Sequence, residues 1–366
     1  MNPQGRKALR PYSDGRRLES QNGGLVEIIE GIHQLKAPMP GNVLRYTLVY
    51  LIKGEGGYVL VDAGSSVPGA IEAVGEQLKA LHVDFPDIKQ IVVTHLHPDH
   101  YGLSGAIRER SGGVIVTHER TRENLRARAH GRGPASWGND EWARKHGLDP
   151  EEEQRFWRDQ MTEMSRRGNG RPDMGMGSFH PPAMAEPDVS VQGGETIEFV
   201  SRRFEVIFTP GHSPDHICLY DRERKVLFTG DHILPVITPH VSYMPDSDTD
   251  PLGDYIAGLE TLRVLDVEHT LPAHEFTISN LEERVQELER HHEERNQFVL
   301  DALVDGPKTA YEITSLVRWD VGSWESMHPG LRRSALNECM SHLEYLRRRG
   351  KVETVEEGDR VFFKRV

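Results

Sequence analysis

The stretch Thr94-His95-Leu96-His97-Pro98-Asp99-His100 constrains this 366-residue chain more than any other. Four side chains able to hold a metal fall within six residues, directly after the apolar run Ile91-Val92-Val93. A strand end is rigid, and the loop that follows it can aim several side chains at one point. In an extended segment His95 and His97, two residues apart, point the same way. Asp99 and His100 lie one step further and can face a second centre. Imidazole and carboxylate together suit zinc, iron or manganese.

The same arrangement recurs downstream. Thr209-Pro210-Gly211-His212-Ser213 follows the apolar run from Phe204 to Phe208, and Thr229-Gly230-Asp231-His232 follows Lys225 to Phe228. Pro272-Ala273-His274-Glu275 follows another short apolar stretch. A lone histidine at a strand end is commonly a hydrogen-bonded structural residue. Here each short strand leads into a turn that carries a His or an Asp, and the set converges.

The rest of the pattern reads as a mixed α/β chain. Tyr46–Ile52 and Tyr58–Val61 form a hairpin split by Gly54, Gly56 and Gly57. Residues 66–82 carry Ile71, Val74, Leu78 and Leu81 at helical spacing, ahead of the strand at Ile91. Together they make a βαβ unit. Strands are predicted at Thr196–Val200, Phe204–Thr209, His216–Tyr220 and Lys225–Thr229, then a helix over 253–265 and a strand over 269–272. Residues 119–190 read as a helical insertion. One of its helices starts at Asp149-Pro150 and puts Trp157, Met161 and Met164 on one face. That face suits either a core stripe or a lid over a substrate pocket. Ser279 and Glu282 fit a capping box for a helix running to about Val304. Helices over Ala310–Val317 and Leu331–Arg349 follow, then a hairpin turning at Glu357-Gly358-Asp359. The resulting domains are a polar segment over 1–24, a main body over 25–280 and a C-terminal helical domain over 281–366.

The residue set resembles the metallo-β-lactamase superfamily of hydrolases, with a metal motif similar to that of glyoxalase II. His95, His97, Asp99 and His100 match its H-x-H-x-D-H element, His212 its next histidine, Asp231 its bridging aspartate and His274 its final histidine. Asp62, in Val61-Asp62-Ala63-Gly64, matches an early Asp-x-Gly. The resemblance covers about residues 25–280 and implies an αββα sandwich with the helical lid as an insertion. It also implies two divalent metal ions: zinc first, with iron or manganese as alternatives. His95, His97 and His212 would hold one ion and Asp99, His100 and His274 the other. Asp231 would bridge them, and Asp62 would orient a ligand or the bridging water. The final motif reads Pro-Ala-His where many relatives have Pro-Gly-His. The bridging position is not a cysteine, which argues against antibiotic hydrolysis. The order helix, helix, helix, hairpin resembles the winged-helix-like tail of a subgroup that includes an endoribonuclease.

The expected activity is hydrolysis of a small acyl substrate, a thioester, ester or lactone. Asp99, Asp231 and His240 are the candidate catalytic residues, with Tyr243 and His232 as further candidates at the site. Trp137, Trp142 and Trp157 would cover an acyl chain, and Arg126, Arg128, Arg155 and Arg158 would meet an anionic group. An endoribonuclease or phosphodiesterase is one alternative, and a mononuclear iron sulfur oxygenase another. Acidic residues number 57 against 44 basic, a formal net charge of −13. Such a field opposes nucleic acid and anionic membranes at long range. The cysteines Cys218 and Cys339 are too far apart for a metal knuckle and too few for a disulfide framework. With no secretory signal in the polar first residues and no apolar run near the ~20 that a membrane helix needs, a cytoplasmic protein is expected. The C-terminal tail could also join copies into a homo-oligomer.

Overall fold

A computed structural model describes residues 26–129, 140–166, 184–245, 249–319 and 322–366. The first sheet contains β1 (Val26–Ile29), β2 (Ile32–Pro38), β3 (Tyr46–Gly54), β4 (Gly57–Val61), β5 (Ile88–Val92), β6 (Val114–His118) and β7 (Val189–Val191), side by side in chain order. β1 to β4 pair antiparallel, and β4 to β7 pair parallel. Parallel neighbours need crossovers. α1 (Ala70–Ala80) supplies the first, and α2 (Pro98–Tyr101) with α3 (Ser104–Ser111) the second. The crossover from β6 to β7 carries α4 (Glu119–Ala129), α5 (Asp140–Lys145) and α6 (Pro150–Arg166).

The second sheet contains β8 (Thr196–Phe199), β9 (Arg202–Phe208), β10 (Ile217–Asp221), β11 (Val226–Gly230) and β12 (His269–Pro272), in the order β12-β11-β10-β9-β8. α7 (Pro251–Arg263) joins β11 to its parallel neighbour β12. The two sheets face each other. Leu48, Tyr50 and Ile52 of β3 and Val59 and Val61 of β4 meet Phe204 and Val206 of β9, Ile217 and Leu219 of β10 and Phe228 of β11. The alternate residues turn outward and are buried too. Val49, Leu51 and Leu60 pack under α1 and α3, and Cys218, Tyr220 and Leu227 pack under α7 and the helix that follows it. Helices thus cover both outer faces, which is why β3, β10 and β11 read as largely continuous apolar runs rather than alternating ones.

The C-terminal helical domain contains α8 (Leu281–Ala302), β13 (Lys308–Thr309), α9 (Ala310–Leu316), α10 (Pro329–Arg348), β14 (Val352–Glu357) and β15 (Arg360–Arg365), with sheet order β13-β15-β14. α8 also lies on the second sheet, where Val285 and Leu288 pack with Leu259 and Leu262 of α7.

Several expectations are corrected. α1 starts at Ala70, not at residue 66, because Gly69 takes the left-handed conformation at its N-cap (φ 81°). The cap of α8 is Asn280, whose side chain accepts the Glu283 N–H; Ser279 is passed over, since Ile278 is still bridged in extended form to Thr270. The lid reading also changes for the described part of the insertion. Ala143 and Leu148 sit in one core with Val299, Leu303, Ala310, Leu336 and Leu343 of the C-terminal domain. Arg333 of α10 pairs with Asp140, and Arg332 with Glu152. α5 and α6 are therefore anchored to α10. Arg126 is paired with Glu186 and Arg155 with Asp149, rather than waiting for an anionic ligand. Trp137 and the side chains of Arg128, Trp157, Met161 and Met164 lie outside the described residues. Among the described residues, no helix is long and apolar enough to cross a membrane.

Candidate metal centre

The strand ends converge at one edge of the sandwich. His95 and His97 follow β5, with Asp99 and His100 on α2. His212 lies beyond β9, Asp231 directly beyond β11, and His274 beyond β12. Ligand atoms of His95, His97, His212 and Asp231 all lie within 4.8 Å of one another, and so do those of Asp99, His100 and His274. Asp231 joins the two clusters. Its carboxylate stands 3.5 Å from His212 Nε2, 3.3 Å from His100 Nε2 and 3.4 Å from His274 Nε2.

The local chain is shaped for this. Gly230, the residue before Asp231, has φ 49°, and a Cβ there would stand 2.6 Å from His216 Nε2 and 3.0 Å from Thr94. Only glycine turns the chain so tightly with neighbours so close. His216 Nε2 then accepts the Asp231 backbone N–H at 3.1 Å, while His216 Nδ1 donates to Thr209 Oγ1 at 2.8 Å. His216 thus orients the aspartate and has no lone pair left for a metal.

Whether these residues fit a metal is decided by their hydrogens. Asp62, at φ 62° after β4, accepts from Thr94 N–H at 2.8 Å and from Thr94 Oγ1 at 2.9 Å. The Thr94 hydroxyl, its proton so committed, accepts from His95 Nδ1 at 3.0 Å. Asp62 also accepts from His100 Nδ1 at 2.9 Å. His212 Nδ1 donates to the His240 carbonyl at 2.8 Å, and His274 Nδ1 to the Tyr46 carbonyl at 3.3 Å. In four histidines the proton is pinned outward on Nδ1, so Nε2 presents a bare lone pair inward. His95 Nε2 and His212 Nε2 stand 2.8 and 3.0 Å from His97 Nδ1. Among the described residues, the buried Nε2 atoms of His100 and His274 and Oδ1 of Asp231 have no hydrogen-bond partner. Buried lone pairs aimed inward at this spacing are what a cation satisfies, so the residues fit metal ions.

The electrostatics divide along the same line. Burial, opposed in part by Asp99, lowers His97 to about 4, and burial with the neighbouring His97 lowers His212 to about 3. Burial resists charge at His274 as well, but Asp231 and Asp99 outweigh it and raise the ring to about 10. One cluster is neutral imidazole; the other, beside two carboxylates, favours a positive charge, which a bound cation would bring.

The remaining candidates part ways. His240 lies beside the first cluster; its Nδ1 is 2.8 Å from Glu338 Oε2 and its Nε2 is 2.7 Å from Ser242 Oγ. His232 points away from the site. It is wholly buried between His216 and Tyr255, with ring centroids 5.7 and 4.6 Å away, so it meets no substrate. Tyr243 packs against Trp142 in the C-terminal core. Sequence reasoning missed Glu338, His216 and the role of Thr94. Thr94 could have been suspected, since a hydroxyl beside a ligand histidine is a ready acceptor. Nothing near Glu338 in sequence marks it.

The family model described as "Metallo-beta-lactamase superfamily" matches residues 43–274. The chain belongs to that superfamily. It is a hydrolase of this family with a His/Asp cluster able to bind metal. It is 23% identical over 347 residues to the "Probable metallo-hydrolase YqjP" of Bacillus subtilis, covering 92% of this chain and 98% of that one. A metallo-beta-lactamase family protein of Thermus thermophilus superposes with a TM-score of 0.67 at 30% identity, over 93% of this chain and 100% of that one. A beta-lactamase domain protein of Burkholderia ambifaria shares the fold, with a TM-score of 0.73 at 23% identity over 97% and 98%.

Proposed function

We propose that this metallo-β-lactamase superfamily member is a two-ion hydrolase acting on a small acyl substrate, a thioester, ester or lactone. The observation that carries the reading is Asp231, whose carboxylate lies within 3.5 Å of histidines from both clusters. His95, His97 and His212 would hold one ion, Asp99, His100 and His274 the other, and Asp231 both. Bound divalent ions supply an acidified water and polarise a carbonyl oxygen. The set of imidazoles and carboxylates favours zinc. Asp62 fixes His100 directly and His95 through Thr94, and Asp231 also offers an acceptor for the proton of the attacking water. Cleavage of an activated acyl bond asks little more of the protein.

Nucleic acid fits less well. The net charge is −13, and the arginines at the end of α10 are already paired: Arg347 and Arg348 share Glu344, and Arg349 meets Asp250. Metal content per chain, measured on protein purified without added metal, tests the reading. About two zinc per chain, with turnover in a thioester, ester and lactone panel that is lost in Asp231→Asn, is expected. About one iron per chain, with oxygen consumption on persulfides, would overturn it.

A further inference from the structure

The loop 239–243 is fastened to α10. Tyr243 N–H donates to the Asn337 carbonyl at 3.0 Å, and Ser341 Oγ donates to the Val241 carbonyl at 2.8 Å. Between these ties lies a different contact, from side chain to side chain. Glu338 Oε2 stands 2.8 Å from His240 Nδ1, with the carboxylate 14% exposed and the ring 34%. The other face of the ring meets Ser242 Oγ at 2.7 Å and Ser334 Oγ, also from α10, at 3.5 Å. The His240 carbonyl is the acceptor for His212 Nδ1. That bond decides where His212 aims its Nε2.

We infer that Glu338 is a positioning residue for the metal centre: it locks His240, and the His240 carbonyl locks the first-cluster ligand His212. The inference rests on the two-ion reading above. A buried carboxylate is costly unless paired, and an apolar residue on this face of α10 would carry no such cost. Its second oxygen faces Arg295 of α8 at 3.6 Å, so the carboxylate is braced both by the loop and by α8. Partners of this kind change metal affinity by about 10- to 100-fold when removed. The effect should be confined to the ion held by His95, His97 and His212, since the second cluster is oriented by Asp62 and Tyr46 instead.

The test is a zinc titration of chelator-stripped full-length protein against a chromophoric competitor, resolving the two affinities. Glu338→Ala should weaken one of the two sites about 10-fold and leave the other within a factor of about three. Glu338→Gln keeps an acceptor for His240 and should restore most of the loss. Ser341→Ala, which loosens the same loop without touching His240, should leave both affinities unchanged. Equal loss in Ser341→Ala, equal loss at both sites, or a folded Glu338→Ala with native affinities would each overturn the inference. Should Glu338→Ala fail to fold, His240→Ala reads the same link with the Glu338–Arg295 pair intact: loss at one site supports it and native affinity overturns it. A wild-type protein that binds fewer than two zinc ions would instead strike the two-ion reading.

Discussion

Asp62 shows how much one side chain can organise from outside a ligand set. Its carboxylate takes the Thr94 amide, the Thr94 hydroxyl and the His100 ring, and so sets the proton positions of one histidine in each cluster. Asp62→Ala is expected to lower zinc affinity about 10- to 100-fold, read by competition with a chelator, with both sites weakened rather than one. That outcome contrasts with Glu338→Ala. Gly230→Ala is expected to destabilise the zinc-free protein by about 1–3 kcal/mol, measured by urea unfolding, because a Cβ would press on His216 and Thr94 at φ 49°. At this scale the sequence was readable where chemistry is local. His95, His97, Asp99 and His100 declare themselves by spacing alone. Glu338 lies 98 residues from His240, and only the fold brings a glutamate on one helix against a histidine on a distant loop.

At the scale of elements, legibility followed burial. β3, β10 and β11 were readable because both faces are apolar. β1, β6 and β7 were not; they are short, and each presents an exposed residue, as Val114 and Val189 do. α8 and α10 were readable from periodicity, but not the polar residues they bury between them. His292 of α8 is 1% exposed, its ring 5.2 Å from Tyr255 and 5.5 Å from His342 of α10. Burial, with the nearby His291, lowers it to about 3. The unfolded chain takes up a proton at His292 near pH 6.5 and the folded one does not until about pH 3, so the fold loses stability as pH falls through that interval. The melting temperature of the zinc-free protein is expected to drop between about pH 7 and pH 5. His292→Phe, of similar shape, should flatten that slope; an unchanged slope would remove His292 as its source.

For the whole molecule, the candidate metal centre would tie the sandwich together when ions are bound. Its ligands come from the ends of β5, β9, β11 and β12, which belong to two different sheets. Ions bound there stabilise the fold by mass action. Stripping with chelator should lower the melting temperature by several degrees. Restoring zinc should raise it again, with a dependence on zinc concentration that Asp231→Asn abolishes. The four-layer arrangement was expected from the motif's resemblance, and the superfamily match agrees with it. The docking of the insertion was not, because amphipathic spacing in α6 says which face is buried and not against what.

That docking also sets an order of events. Leu148 and Ala143 leave the ribosome well before Val299 and Leu336, the residues that cover them. At ordinary rates of synthesis the wait is on the order of ten seconds. During it Trp142, Ala143 and Leu148 have no core to enter, although the first sheet flanking them can already be pairing. α10, made after both the insertion and the loop 239–243, closes the insertion's core and brings Glu338 to His240. A nascent chain stalled before α10 would carry every one of the seven donors and still lack the brace on His212.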